Sequence, residues 1–83
     1  MDFIDLIIRK RDGVVFEGKV YAVSSTNEIG PFDVLPLHAN FVCTIKDYLT
    51  VHIDEALKNE KKFPLETGVM RVKENKVEIY MGI

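Results

Sequence analysis

"LETGVMRVKENKVEIYM", residues 65–81, decides the fold of this chain. Its last third puts Val77, Ile79 and Met81 on one parity and Glu78 and Tyr80 on the other, the period of a half-buried β-strand. Residues 66–73 form a partner of matching length. Between the two lies Glu74-Asn75, and asparagine tolerates the positive φ that a tight hairpin turn requires. The stretch therefore reads as a β-hairpin.

The same period runs outward from it. Ile4, Leu6 and Ile8 alternate with Asp5 and Ile7, and Leu49, Val51 and Ile53 alternate with Thr50 and His52. Residues 14–16 and 20–23 are short β-branched or aromatic runs separated by Gly18, which permits a bulge or tight bend. Residues 41–45 read as a further strand. Turn signals fall at Arg11-Asp12-Gly13, Thr26-Asn27, Gly30-Pro31, Lys46-Asp47 and Asn59. Many short strands at that spacing predict an all-β antiparallel sandwich or barrel. Residues 54–62, "DEALKNEKK", carry only Ala56 and Leu57 as apolar residues and read as a charged hairpin loop with one helical turn. With no repeat, linker or low-complexity stretch, residues 1–83 are expected to be a single domain.

Bulk composition narrows the function. A chain of 83 residues buries only roughly 60–65% of its unfolded surface, which leaves little room for a deep cleft. The 47% hydrophobic and 29% charged fractions are those of a globular domain. At a net charge of -2, with no basic cluster beyond Arg9-Lys10-Arg11, nucleic-acid binding lacks electrostatic support, and the triplet reads as the solvated end of a strand entering a turn. The single cysteine, Cys43, excludes an internal disulfide and suits a reducing compartment. No stretch approaches the ~20 apolar residues that span a bilayer. The opening MDFIDLIIRK carries Asp2 and Asp5 within its apolar run and makes a poor signal peptide. The expectation is a soluble chain that reaches a membrane only through a partner, with no direct insertion.

No catalytic or cofactor-binding pattern emerges. Two histidines and one cysteine fall short of a zinc site, and no phosphate-cradling glycine motif is present, so no metal or cofactor is expected. His38 as base for a Cys43 nucleophile would lie on the opposite face if one strand ran through both. Residues 37–40 could bend instead, but no oxyanion motif or orienting partner is visible, and a small apolar cysteine in a strand is usually just buried. His52 reads as a solvent-facing strand residue and Asp54-Glu55 as a solvated loop. Interaction is left. "GPFDVLPLHANF", residues 30–41, crowds two prolines with Phe32, Val34, Leu35, Leu37 and Phe41. So small a domain cannot bury all five, and a contiguous exposed remainder, with Phe32 in it, marks a partner surface.

Three stretches, "VFEGKVYAVSS", "GPFDVLPLHANFVCTI" and "LETGVMRVKENKVEIYM", resemble in order and spacing the epsilon subunit of rotary F-type ATP synthases. That family has a strand ending in Phe-x-Gly-x-Val, then a pattern close to Gly-Glu-Phe-Gly-Val-Leu-Pro-Gly-His-Ala-Pro, then Gly-Gly-x-x-x-Val before the last strand. The resemblance implies a ten-stranded antiparallel β-sandwich. It implies a non-catalytic central-stalk subunit, binding the gamma subunit and the c-ring so that ion translocation is coupled to ATP synthesis, peripheral on the cytoplasmic face of the energy-transducing membrane. It places Glu28, Pro31, Phe32 and Asp33 on the c-ring side and His38, Phe41 and Cys43 on the gamma side. The alternative is a free-standing small β-sandwich that binds a protein or regulator.

The departures from the family pattern lie in the crowded segment. Pro31 stands where an acid is common, Asp33 and Leu37 where glycines are, and Asn40 where a proline is. Asp33 is expected to take the left-handed conformation in glycine's place, and Glu28 or Asp33 to supply the ring-facing charge. Epsilon subunits commonly continue into a C-terminal helical hairpin. This sequence stops at Ile83, so the expectation is the sandwich alone, supporting coupling without inhibiting ATP hydrolysis or binding ATP.

Overall fold

The structure, a computed structural model, describes residues 3–56 and 58–82. Seven strands follow one another: β1 (Ile4–Lys10), β2 (Gly13–Val20), β3 (Ala22–Thr26), β4 (Pro31–Val34), β5 (Phe41–His52), β6 (Glu60–Lys73) and β7 (Lys76–Met81). They join in one hydrogen-bonded sheet in the order β2-β1-β7-β6-β5-β3-β4, and there is no helix among the described residues. The expected hairpin is present. Glu74 and Asn75 both have positive φ, 51° and 64°, the signature of a turn that twists with its strands. All neighbours are antiparallel except β1 and β7, which run parallel.

The two longest strands turn this sheet into two layers. β3 pairs with β5 from Lys46 to His52, whereas β7 pairs with β6 from Gly68 to Lys73. Between those regions the β5–β6 ladder carries a bulge, with Glu66 the extra residue opposite Lys46 and Asp47, and Asp47 at φ 71°. Bulges bend and twist a strand. The second half of β5 and the first half of β6 accordingly join β3 and β4, while the other halves join β7, β1 and β2. Both ends of the strand order return to the centre. Phe16 of β2 meets Phe63 of β6 edge-on at 6.4 Å, and Phe32 of β4 meets Phe41 of β5 at 6.1 Å.

One core fills the interior. Ile4, Leu6 and Ile8 of β1, Val23, Val34, Ile45, Leu49 and Val51 of the β3–β4–β5 side, and Met70, Val77 and Ile79 belong to a single buried cluster. Each such side chain contributes about 1.5–3 kcal/mol. Pro64 is tolerated inside β6 because β7 does not reach that part of the strand, so its missing N–H costs no ladder bond on that side.

Several expectations are corrected. There are seven strands where ten were expected, because β5 and β6 each cross both layers unbroken, and the β1–β7 pair breaks the antiparallel rule. Lys46-Asp47 runs on through β5, opposite the bulged Glu66 of β6, instead of forming a turn. Gly18 pairs regularly with Leu6, and the irregularity of β2 is Val15, opposite the Ile8/Arg9 step. The 20–23 run is interrupted at Tyr21, where the chain leaves β1 and joins β5. Of the charged 54–62 stretch, residues 60–62 are strand, and Leu57 lies outside the described residues. The basic triplet is as expected, running off β1 into the turn with Lys10 and Arg11 exposed. Arg9 lies 3.7 Å from Glu78 and over the Tyr80 ring.

Candidate protein-interaction surface

The crowded segment builds two presenting turns, one at each end of β4. At the first, Asn27 and Gly30 exchange backbone hydrogen bonds of 3.2 and 3.1 Å. The Asn27 Oδ1 accepts from the N–H of Ile29 at 2.9 Å and of Gly30 at 3.3 Å. Gly30 closes this turn at φ 143°, a conformation side-chain-bearing residues avoid. The tip so fixed displays Glu28 and leaves Ile29 97% exposed.

β4 then follows strand parity. Val34 and Phe32 point inward; Pro31 and Asp33 face out. Phe32 is half-buried against Phe41 and the core, so the expectation that it is exposed is overturned by the edge-on ring contact. Asp33 is also corrected. It lies in extended strand opposite Ser24, whose hydroxyl donates to its Oδ1, and is not left-handed.

The left-handed residue is Leu37, at φ 67°. A leucine there costs of the order of 1 kcal/mol, and three hydrogen bonds hold the loop around it. The His38 N–H donates to Leu35 O at 3.2 Å, the Leu37 N–H to Asn75 Oδ1 at 2.6 Å, and the Glu74 N–H to Asn40 Oδ1 at 2.9 Å. The last two clamp the loop onto the β6–β7 turn. Leu35 and Leu37 remain 46% and 72% exposed. The family's glycine at this position was the signal that could have located this residue.

The two sets of candidate residues meet. The His38 ring lies 5.1 Å from that of Phe41, and Phe41 touches Phe32, making a row that joins the supposed ring and gamma sides. Cys43 follows Phe41 on the inward parity of β5 and is half-buried. His38 Nδ1 is engaged by Ala39 O at 2.9 Å. Burial raises the Cys43 thiol above its ordinary range, and a hydrogen bond with the Asn27 side chain offsets this in part. Iodoacetamide at pH 8 should therefore alkylate Cys43 more slowly in the folded chain than in urea. The neutral thiol's contribution is present below about pH 8.5, the unfolded value, and is lost as pH rises through the folded one. Equal alkylation rates in the two states would remove the burial argument.

His52 departs from the sequence reading. Its side chain is only 17% exposed, with Nε2 at 2.9 Å from Ser24 Oγ. Among the described residues no group of three metal-ligating side chains converges, and no helix is long and apolar enough to cross a membrane.

A sequence model of the family "ATP synthase, Delta/Epsilon chain, beta-sandwich domain" matches residues 4–82. Among solved structures, a chain of the Euglena gracilis mitochondrial ATP synthase, from a complex of OSCP, F1 and c-ring, aligns with a TM-score of 0.85 at 20% identity. The match covers 98% of this chain and 51% of that one. A chain of the Tetrahymena thermophila mitochondrial ATP synthase central stalk and c-ring aligns with a TM-score of 0.78 at 10% identity, over 96% of this chain and 63% of that one. The present chain thus spans between half and two thirds of the structures it matches. No curated protein sequence matches it.

Proposed function

Because the chain belongs to the delta/epsilon β-sandwich family of ATP synthases, we propose that it is a non-catalytic rotor subunit of the central stalk, binding a gamma subunit and a c-ring so that ion translocation drives ATP synthesis. Its own share of that work is adhesion. The observation that carries the reading is the pair of fixed turns flanking β4, which hold Ile29, Leu35 and Leu37 out in solvent at the family's signature segment. Apolar side chains on a preformed backbone lose little entropy on binding.

The ring side of the proposal falls to the tip. Asp33 already accepts the Ser24 hydroxyl, whereas Glu28 makes no hydrogen bond or ion pair among the described residues. Glu28 and Ile29, followed by Pro31, are the contact with the polar loops of the ring, with Phe32 buttressing them from behind. On the gamma side His38 is the accessible member, with Phe41 packed against its ring and Cys43 two residues further along β5 on the inward parity. The site would lie at the membrane surface through its partners.

The test is co-purification with the gamma subunit and c-ring encoded by the same organism. The wild-type domain should be retained by gamma alone and, with gamma, by the ring. Ile29→Asp should keep the gamma contact and lose the ring by at least about tenfold, as expected when a central apolar contact is replaced by a desolvated charge. Failure to bind its own gamma subunit would sink the stalk reading and leave a free-standing interaction module.

A further inference from the structure

At one end of the outward face of the β6–β7–β1–β2 layer, the register sets four charged side chains in a row. Lys73 of β6 lies opposite Lys76 of β7, Lys76 beside Asp5 of β1, and Asp5 opposite Lys19 of β2. All four are exposed, whereas their strand neighbours Val72, Val77, Ile4 and Val20 are buried. Asp5 is taken by Lys19 at 2.9 Å. The next acid on this face, Glu78, lies 3.7 Å from Arg9 and 3.8 Å from Arg71. The ammonium groups of Lys73 and Lys76 are left with no ion pair or hydrogen bond among the described residues.

Like charges directly opposite each other on paired strands are destabilising. The hairpin does not need this pair, because its turn is set by the positive φ of Glu74 and Asn75. The row also carries three cations to one carboxylate in a chain of net charge -2, so positive charge is concentrated at this end. The turn that the two lysines bracket is the one to which the Leu37 loop is clamped, through Asn75 Oδ1 and the Glu74 N–H. Exposed Leu35 and Leu37 and the two unpaired ammonium groups therefore share one fixed support.

We propose, resting on the stalk reading above, that Lys73 and Lys76 extend the gamma-side surface and dock an acidic stretch of the gamma subunit, whose carboxylates flank the apolar patch that receives Leu37. Carboxylates from a partner relieve the repulsion between the lysines only in the complex. The pair thus favours association and its specificity without favouring the isolated fold. A protein segment suits the row better than a bilayer, because firm attachment to anionic lipid takes a cluster of about four to eight basic residues.

Affinity for gamma, measured at about 50 mM and about 500 mM NaCl, tests this. Three forms are compared: the wild type, Lys73→Gln/Lys76→Gln, and the control Lys10→Gln/Arg11→Gln, which removes the same charge from exposed residues at the other end of β1. At low salt Lys73→Gln/Lys76→Gln should bind about fivefold more weakly than the wild type, the scale of two rim ion pairs. High salt should weaken the wild type by about fivefold and this variant by less than about twofold. The control should follow the wild type. The urea midpoint of Lys73→Gln/Lys76→Gln should stay at or above that of the wild type, because a repulsion is removed. Unchanged affinity in that variant, an equal loss in the control, or a lowered midpoint overturns the acidic dock and leaves the stalk reading intact. No binding to gamma at either salt overturns both. Binding to phosphatidylglycerol vesicles that is lost in Lys73→Gln/Lys76→Gln, with affinity for gamma unchanged, assigns the row to a lipid surface and overturns the dock as well.

Discussion

Gly68→Ala is expected to lower the unfolding free energy by about 3 kcal/mol, seen as a large drop in the urea midpoint with an unchanged slope. A methyl group built on Gly68 would sit 2.7 Å from the Tyr80 carbonyl oxygen, 3.3 Å from Leu65 Cδ1 and 3.4 Å from Ile45 Cγ1. The two leucine and isoleucine carbons belong to side chains that can shift by tenths of an ångström. The carbonyl belongs to β7, whose ladder to β6 holds Tyr80 opposite Val69 and Met81 opposite Gly68. Relieving the clash therefore means separating two strands beside the bulge where the layers part. Tightly packed interiors do not absorb even one added methyl for free. A loss under about 1 kcal/mol would mean that this junction is far more compliant than its geometry.

Leu37→Gly is expected to have two effects of opposite sign. It should raise the unfolding free energy by about 1 kcal/mol, because glycine adopts φ 67° without the steric penalty that leucine carries. Leu37 is 72% exposed, so little buried area is lost in the exchange. The same change should weaken binding to gamma by about tenfold if Leu37 is an anchor of that contact. Thermal unfolding reads the first effect and titration calorimetry the second. Stabilisation with unchanged affinity would leave the loop outside the interface, and destabilisation would show that Leu37 contributes packing its exposure hides. The pairing matters because a merely damaged domain loses both properties together.

The strands were legible because their signal is local. Ile4, Leu6 and Ile8 alternate in sequence and are buried in the structure, and the Glu74-Asn75 turn needs only the preference of two residues. Where reading failed, the cause was distant in the chain. Lys46-Asp47 has the composition of a turn, yet β6 runs alongside and carries the ladder through it as a bulge. Phe32 looks exposed beside two prolines, but Phe41 returns to cover it. His52 sits on the solvent parity of its strand and is enclosed by residues from β3 and β6 that no local pattern announces. The sequence reading placed its candidate surface in residues 30–41. Which of them face out depended on the Asn75 and Asn40 clamps, formed across sequence separations of 38 and 34 residues.

A sandwich made of two separate sheets is joined across its gap by side-chain contacts and connecting loops, with no hydrogen-bonded ladder passing from one sheet to the other. Here two adjacent strands do cross it, β5 over 12 residues and β6 over 14. Moving one face past the other would have to stretch covalent chain or shear the ladder between them. The chain is therefore mechanically stiff along the line joining its two faces. Force taken up at the β4 side is delivered to the β1–β7 side through peptide bonds, without relying on the yielding of a greasy interlayer.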